Sequence, residues 1–119
     1  MTEQILTRVM QLRGREDEQE MLFPLCAAVE TELAGRLKEG VSPADCGEAF
    51  VLAAACHVLA FLYAAGREEQ VESFTAGDVT IRQGNGSSAQ RAADLREQAD
   101  QLLAPWAEDG RFFFQKVMG

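Results

Sequence analysis

The stretch Ser42 to Gly66, SPADCGEAFVLAAACHVLAFLYAAG, constrains this chain more than any other. From Ala49 to Ala65 every residue except His57 is apolar, and most are good helix formers, so every face of the resulting helix meets apolar neighbours. Such a helix must be enclosed by partners. Its start is well marked. Ser42 can cap it, Pro43 suits a first helical position where its missing N–H would have no acceptor, and Asp45 puts negative charge in the positive first turn. The pattern predicts one central, buried helix over residues 43–66. A membrane span is the weaker reading, because the run is short for a bilayer, contains a histidine and is largely alanine, which gains little from transfer into lipid.

A chain of 119 residues with 47% apolar content suits one domain able to bury a real core without disulfides or metal. Its formal charge of −8, from 19 acidic and 11 basic residues with no basic cluster, argues against gripping nucleic acid through its phosphates. Cys26, Cys46 and Cys56 are odd in number and show no close pairing pattern, as expected of reduced cytosolic thiols rather than a disulfide framework. The N-terminal MTEQILTRVMQLRG mixes acidic and basic residues and has no uninterrupted apolar core, unlike a secretory signal.

Taken in order, Ile5, Val9 and Leu12, flanked by Leu6 and Met10, give an amphipathic helix over residues 1–13, ended by Gly14. The acidic residues Glu16, Asp17, Glu18 and Glu20 suit the positive end of a second helix, predicted over 17–39 and closed by Gly40. Pro24 interrupts that helix. It implies either a kink near Glu20 to Phe23 or a helix starting just before the proline. After the central helix the periodicity changes: Val79 and Ile81 alternate with Asp78, Thr80 and Arg82, which predicts extended chain over 71–83, as a single segment or a small ribbon. Gln83 to Gly86 reads as a turn. Ser87 and Gln90 form a capping-box pattern for a last helix over 88–104, with Ala92, Leu95, Ala99, Leu102 and Leu103 on one face and Pro105 at its end. The tail at 111–118 is strongly apolar after a turn at Asp109 and Gly110.

No reaction is named by these residues. His57 is the only histidine and adjoins Cys56, but adjacent helical residues point about 100° apart, and Ala53, Ala60 and Phe61 occupy places one turn away where a carboxylate would be needed. A satisfied core or interface histidine is the expected role. Cys46 and Cys56 lie about 15 Å apart along a helix and on different faces, and no CxxC or HxxxH spacing occurs. Gly84-Asn85-Gly86-Ser87-Ser88 lacks the lysine of a nucleotide-binding loop and the spacing of a dinucleotide fingerprint. Glu16 to Glu20 are explained as a solvated helix start. The expectation is therefore no catalytic, cofactor or metal site.

Phe112, Phe113 and Phe114 are more informative. Either they return to close the domain's own core, or they meet another subunit, because three consecutive rings cannot all face one side of a strand. Ser73 to Ile81 divides in the same way, between an internal ribbon and an exposed edge able to pair with a neighbour's strand.

Three helices, then Ser73-Phe74-Thr75-Ala76-Gly77-Asp78-Val79-Thr80-Ile81, then an alanine-rich helix with Leu95-Arg96-Glu97-Gln98-Ala99 and Leu102-Leu103-Ala104-Pro105-Trp106 give an order that resembles the small head-tail connector, or adaptor, proteins of tailed bacteriophages and prophages. The resemblance spans nearly the whole chain and is carried by pattern rather than by a catalytic signature. It implies a non-enzymatic virion protein, assembled in the bacterial cytoplasm. The protomers would form a homomeric ring at the portal vertex, joining the capsid to neck and tail proteins. Contacts with neighbouring subunits or the portal would fall on the loop around Gly77 to Gly86 and on the segment Arg111 to Met118. The interface residues so assigned are Phe74, Gly77, Asp78, Val79, Ile81, Phe112, Phe113 and Phe114. The acidic charge is compatible with a conduit along which DNA slides without specific binding.

The fold expected is mainly α: a four-helix bundle-like domain with a short extended segment or β-ribbon between the last two helices, and an extended C-terminal tail. A non-viral cytosolic helical module acting as a dimer is the first alternative. An enzyme or small-ligand binder with a pocket around Cys56 and His57 is the second; a thiol of depressed pKa would support it and an inert thiol would count against it.

Overall fold

The computed structural model describes residues 1–66, 73–76, 79–82 and 88–108, the two middle segments by their backbone pairing alone. The described chain is mainly helical. Helix α1, Thr2–Arg13, buries Ile5, Leu6, Val9 and Leu12 at the spacing of one helical face, and ends where Gly14 turns left-handed (φ 77°) and donates its N–H to the Met10 carbonyl at 2.9 Å. Helix α2, Gln19–Ala34, buries Leu22, Cys26, Val29 and Leu33. It opens from Glu18, a non-glycine residue at φ 67°. Arg13 steadies that residue, its guanidinium donating to Glu18 Oε1 at 2.7 Å.

The C-terminal end of α2 differs from the expected 17–39, and one of the two expectations for Pro24, a helix starting just before it, is not met. The helix starts well before Pro24 and carries it in its second turn, where only the hydrogen bond to the Glu20 carbonyl is forfeited. Pro24 and Glu20 are both exposed, which leaves that carbonyl to water. The helix also stops at Ala34 instead of Glu39. Leu37 is drawn into an isolated antiparallel bridge with Ala107. Around it Lys38 N–H donates to the Trp106 carbonyl at 2.8 Å, and Glu108 N–H donates to the Arg36 carbonyl at 2.9 Å. A long-range pairing has replaced the last helical turn.

The predicted central helix is two helices. The four residues Pro43–Cys46 form α3, and Glu48–Ala64 form α4, with Gly47 between them at φ 61°, ψ −136°. That conformation is closed to residues with a Cβ, and it turns the chain at the one residue able to adopt it. The opening signal of α3 is as the sequence suggests: the Ser42 N–H donates to Asp45 Oδ2 at 2.8 Å, and the Ser42 hydroxyl lies 3.1 Å from the same oxygen.

Helix α4 is the centre of the molecule. It packs most extensively on α5, Ser88–Leu103, and also on α1 and α2. Phe50, Val51, Ala53 to Cys56, Val58 to Ala60, Leu62 and Tyr63 are all buried, so the enclosure demanded by its composition is met almost all round. The stripe His57, Phe61 and Ala64, at i, i+4 and i+7, is where the helix leaves the core, with Phe61 53% exposed. Helix α5 answers with Arg91, Ala92, Leu95, Ala99 and Leu103, then passes through a 3-10 turn at Ala104–Trp106. Ser87 lies outside the described residues.

Between α4 and α5, β1 (Ser73–Ala76) pairs antiparallel with β2 (Val79–Arg82), Phe74 opposite Ile81 and Ala76 opposite Val79. Strand β1 lies beside α1. No helix among the described residues is long and apolar enough to cross a membrane.

Candidate functional site

Chemistry gathers at the seam where α4, α5 and the end of α2 meet. His57 sits on the surface-reaching stripe of α4, but its side chain is only 13% exposed. Its Nε2 is 3.9 Å from Asp100 Oδ1 on α5 and makes no hydrogen bond among the described residues. Arg36, just past α2, brings Nη1 to 3.7 Å from the same Asp100 oxygen and also pairs with Glu32 one helical turn back. Arg96 of α5 adds a second positive charge to the surroundings of the imidazole.

Burial pushes the His57 pKa below the usual histidine value, Arg36 reinforces the shift, and Asp100 and Glu32 oppose it without reversing it. At neutral pH the ring is neutral. Of the expected satisfied core or interface histidine, the core alternative is not met at Nε2, which is buried with no hydrogen-bond partner among the described residues. The carboxylate missing from its own helix is supplied across the seam. Local spacing had no means of finding Asp100, although its place beside Ala99, on the flank of the apolar face of α5, marks it as a residue near the core edge.

Cys56 lacks the depressed pKa that would mark an activated nucleophile beside this histidine. Its thiol is buried, and burial raises its pKa to about 11. Cys26 is pushed up to about 11 by the same cause, and Cys46 is raised by burial and then by Asp45. All three thiols are free and buried.

The acidic cluster at the start of α2 is drawn into ion pairs. Arg13 and Arg15 both reach Glu18, and Arg15 Nε also lies 3.1 Å from Asp17. Among the described residues no group of three or more His, Cys, Asp or Glu is arranged to hold a metal ion.

Of the predicted interface residues, Phe74, Val79 and Ile81 lie in the ribbon, where backbone pairing is described and side chains are not. Gly77, Asp78, Phe112, Phe113 and Phe114 lie outside the described residues, as do the loop at 83–87 and the tail at 111–118. The ribbon has two strands, so each has one edge with no strand partner among the described residues. Comparison with known protein families, with curated proteins and with solved structures finds no match to this chain.

Proposed function

We propose that the chain is a structural head-tail connector of a tailed bacteriophage or prophage. In this reading α1, α2, α4 and α5 form a four-helix, bundle-like protomer. Copies assemble as a homomeric ring at the portal vertex, join capsid to neck and tail, and leave a passage for packaged DNA without binding it specifically. The protein acts in the virion after assembly in the bacterial cytoplasm, and it catalyses no reaction.

The observation that carries the reading is the two-stranded ribbon between α4 and α5, with an unpaired edge on each strand among the described residues. Its backbone N–H and C=O groups are ready to pair with a neighbouring copy. A ring needs such a contact to be heterologous, one surface of each copy meeting a different surface of the next. The phenylalanine-rich tail supplies a second, apolar contact.

Light scattering on the purified chain over a wide concentration range tests this, alongside a chain lacking Arg111 to Gly119. Growth toward a large closed assembly that requires the tail is the expected result. A strict dimer indifferent to truncation would move the assignment to a non-viral helical module.

A further inference from the structure

At the seam around His57 two basic groups, the ring and Arg36, share one acid, Asp100, and Arg36 lies within a backbone bridge. We propose that His57 and Arg36 alternate on Asp100, so that protonating the imidazole loosens the Arg36–Asp100 contact. Through Arg36, this would loosen the bridge at Leu37 and Ala107 that holds residues 106–108.

The geometry for exchange is present. Asp100 Oδ1 is 3.7 Å from Arg36 Nη1 and 3.9 Å from His57 Nε2, so one oxygen stands almost equidistant from both nitrogens. With the ring neutral, the arginine is the only cation of the two. With the ring protonated, two positive charges converge on one oxygen in a partly buried site, where their repulsion is weakly screened. Arg36 has somewhere to go, because Glu32 already pairs with it from the preceding helical turn. The imidazolium has less freedom: its Nε2 is buried, and Asp100 is the carboxylate within reach.

The charged groups facing the ring are Glu32 from α2, Arg36 from the segment after it, and Arg96 and Asp100 from α5. Because burial and Arg36 disfavour the charged ring, the exchange belongs to mildly acidic conditions and not to neutral pH.

Arg36 links this exchange to the backbone. Its carbonyl accepts the Glu108 N–H at 2.9 Å, and two residues on Lys38 N–H donates to Trp106. Arg36 already holds Glu32 through Nη2, so loss of the Asp100 contact leaves it on that partner alone among the described residues, a change felt by the two hydrogen bonds that hold residues 106–108 in place. The device would be an acid-sensitive latch, a change of charge biasing a local element with two arrangements. It stands independently of the connector assignment.

The chain has a single histidine, so the test has a single-site readout. Nuclear magnetic resonance of the full chain between pH 7.5 and pH 5 would follow the imidazole together with the amides of Lys38 and Glu108. The expected result is that both amides shift with the midpoint of the ring, below the ordinary histidine value. In His57→Gln their titration should vanish. Arg36→Gln should raise the ring's midpoint and uncouple the amides from it, which gives a second reading should the histidine variant fold poorly. Amides silent through the ring's titration, or titrating unchanged in either variant, would overturn the proposal.

Discussion

His57 is held neutral in the folded chain by burial first and by Arg36 second, and this fixes the sign of its contribution to stability. Its folded pKa lies below the unfolded value, so between the two the unfolded chain binds more protons and stability rises with pH. The contribution is fully present above the unfolded histidine pKa and is lost as pH falls through the folded one. Urea unfolding at intervals from pH 8 to pH 5 should show this loss, and His57→Gln should remove that part of the pH dependence while leaving the carboxylate-driven loss at lower pH. The thiols make a second residue-scale test. With Cys26 and Cys56 pushed up to about 11, only about one thiol in a thousand is ionised at pH 8, and Cys46 is buried and raised as well. A disulfide reagent at pH 8 should label the folded chain slowly and all three cysteines promptly in urea; fast labelling of Cys56 in the folded chain would reopen the thiol-based reading. The sequence showed the histidine and the thiols, and burial in the apolar core is the main cause that raises the thiol pKa values. Asp100 and Arg36 could not be found that way, because helical spacing names only neighbours on the same element, whereas this cluster is assembled from three.

At the scale of elements, Gly47 is the most consequential residue that the pattern concealed. A capping sequence followed by an apolar run reads as one helix, and a glycine between them costs a helix too little to announce a break. The structure uses its backbone freedom instead: φ 61° with ψ −136° separates α3 from α4, and a Cβ added there would meet nothing within 4 Å. The constraint is thus conformational, not one of space. Gly47→Ala should destabilise the fold by about 1–3 kcal/mol, read from the urea midpoint, with no change of core packing. A neutral result would mean that one continuous helix is as acceptable as two. The same contrast between local and distant signals runs through the rest. Helix α1 and α5 fall where their periodicity puts them, since caps and stripes are local. Helix α2 ends at Ala34 because Leu37 pairs with Ala107, a partner from the far end of the chain that no local propensity could announce. The extended character at 79–82 was legible from alternation, but its antiparallel pairing with 73–76 was not, since alternation marks a strand without naming its partner.

At the scale of the whole molecule, folding and assembly make opposite demands on charge. The core around α4 is apolar and indifferent to salt, but the chain carries a net charge of −8, so every copy that approaches another does so against repulsion. A ring concentrates that charge further. If the contacts between copies are backbone pairing at ribbon edges and phenylalanine rings, neither kind of contact is ionic, and screening should help them. The Debye length falls from about 30 Å at 0.01 M salt to about 10 Å at 0.1 M and about 3 Å at 1 M, so most of the repulsion is removed within an accessible range. Self-association of the full chain should therefore strengthen as salt is raised across that range, measured by light scattering at fixed protein concentration, while the urea midpoint of a non-associating tail variant changes much less. Weakening by salt would point the other way. It would mean that the copies meet through ion pairs, with exposed partners such as Arg8 and Glu48 exchanged between subunits, and the apolar and backbone contacts proposed for the ring would have to be abandoned.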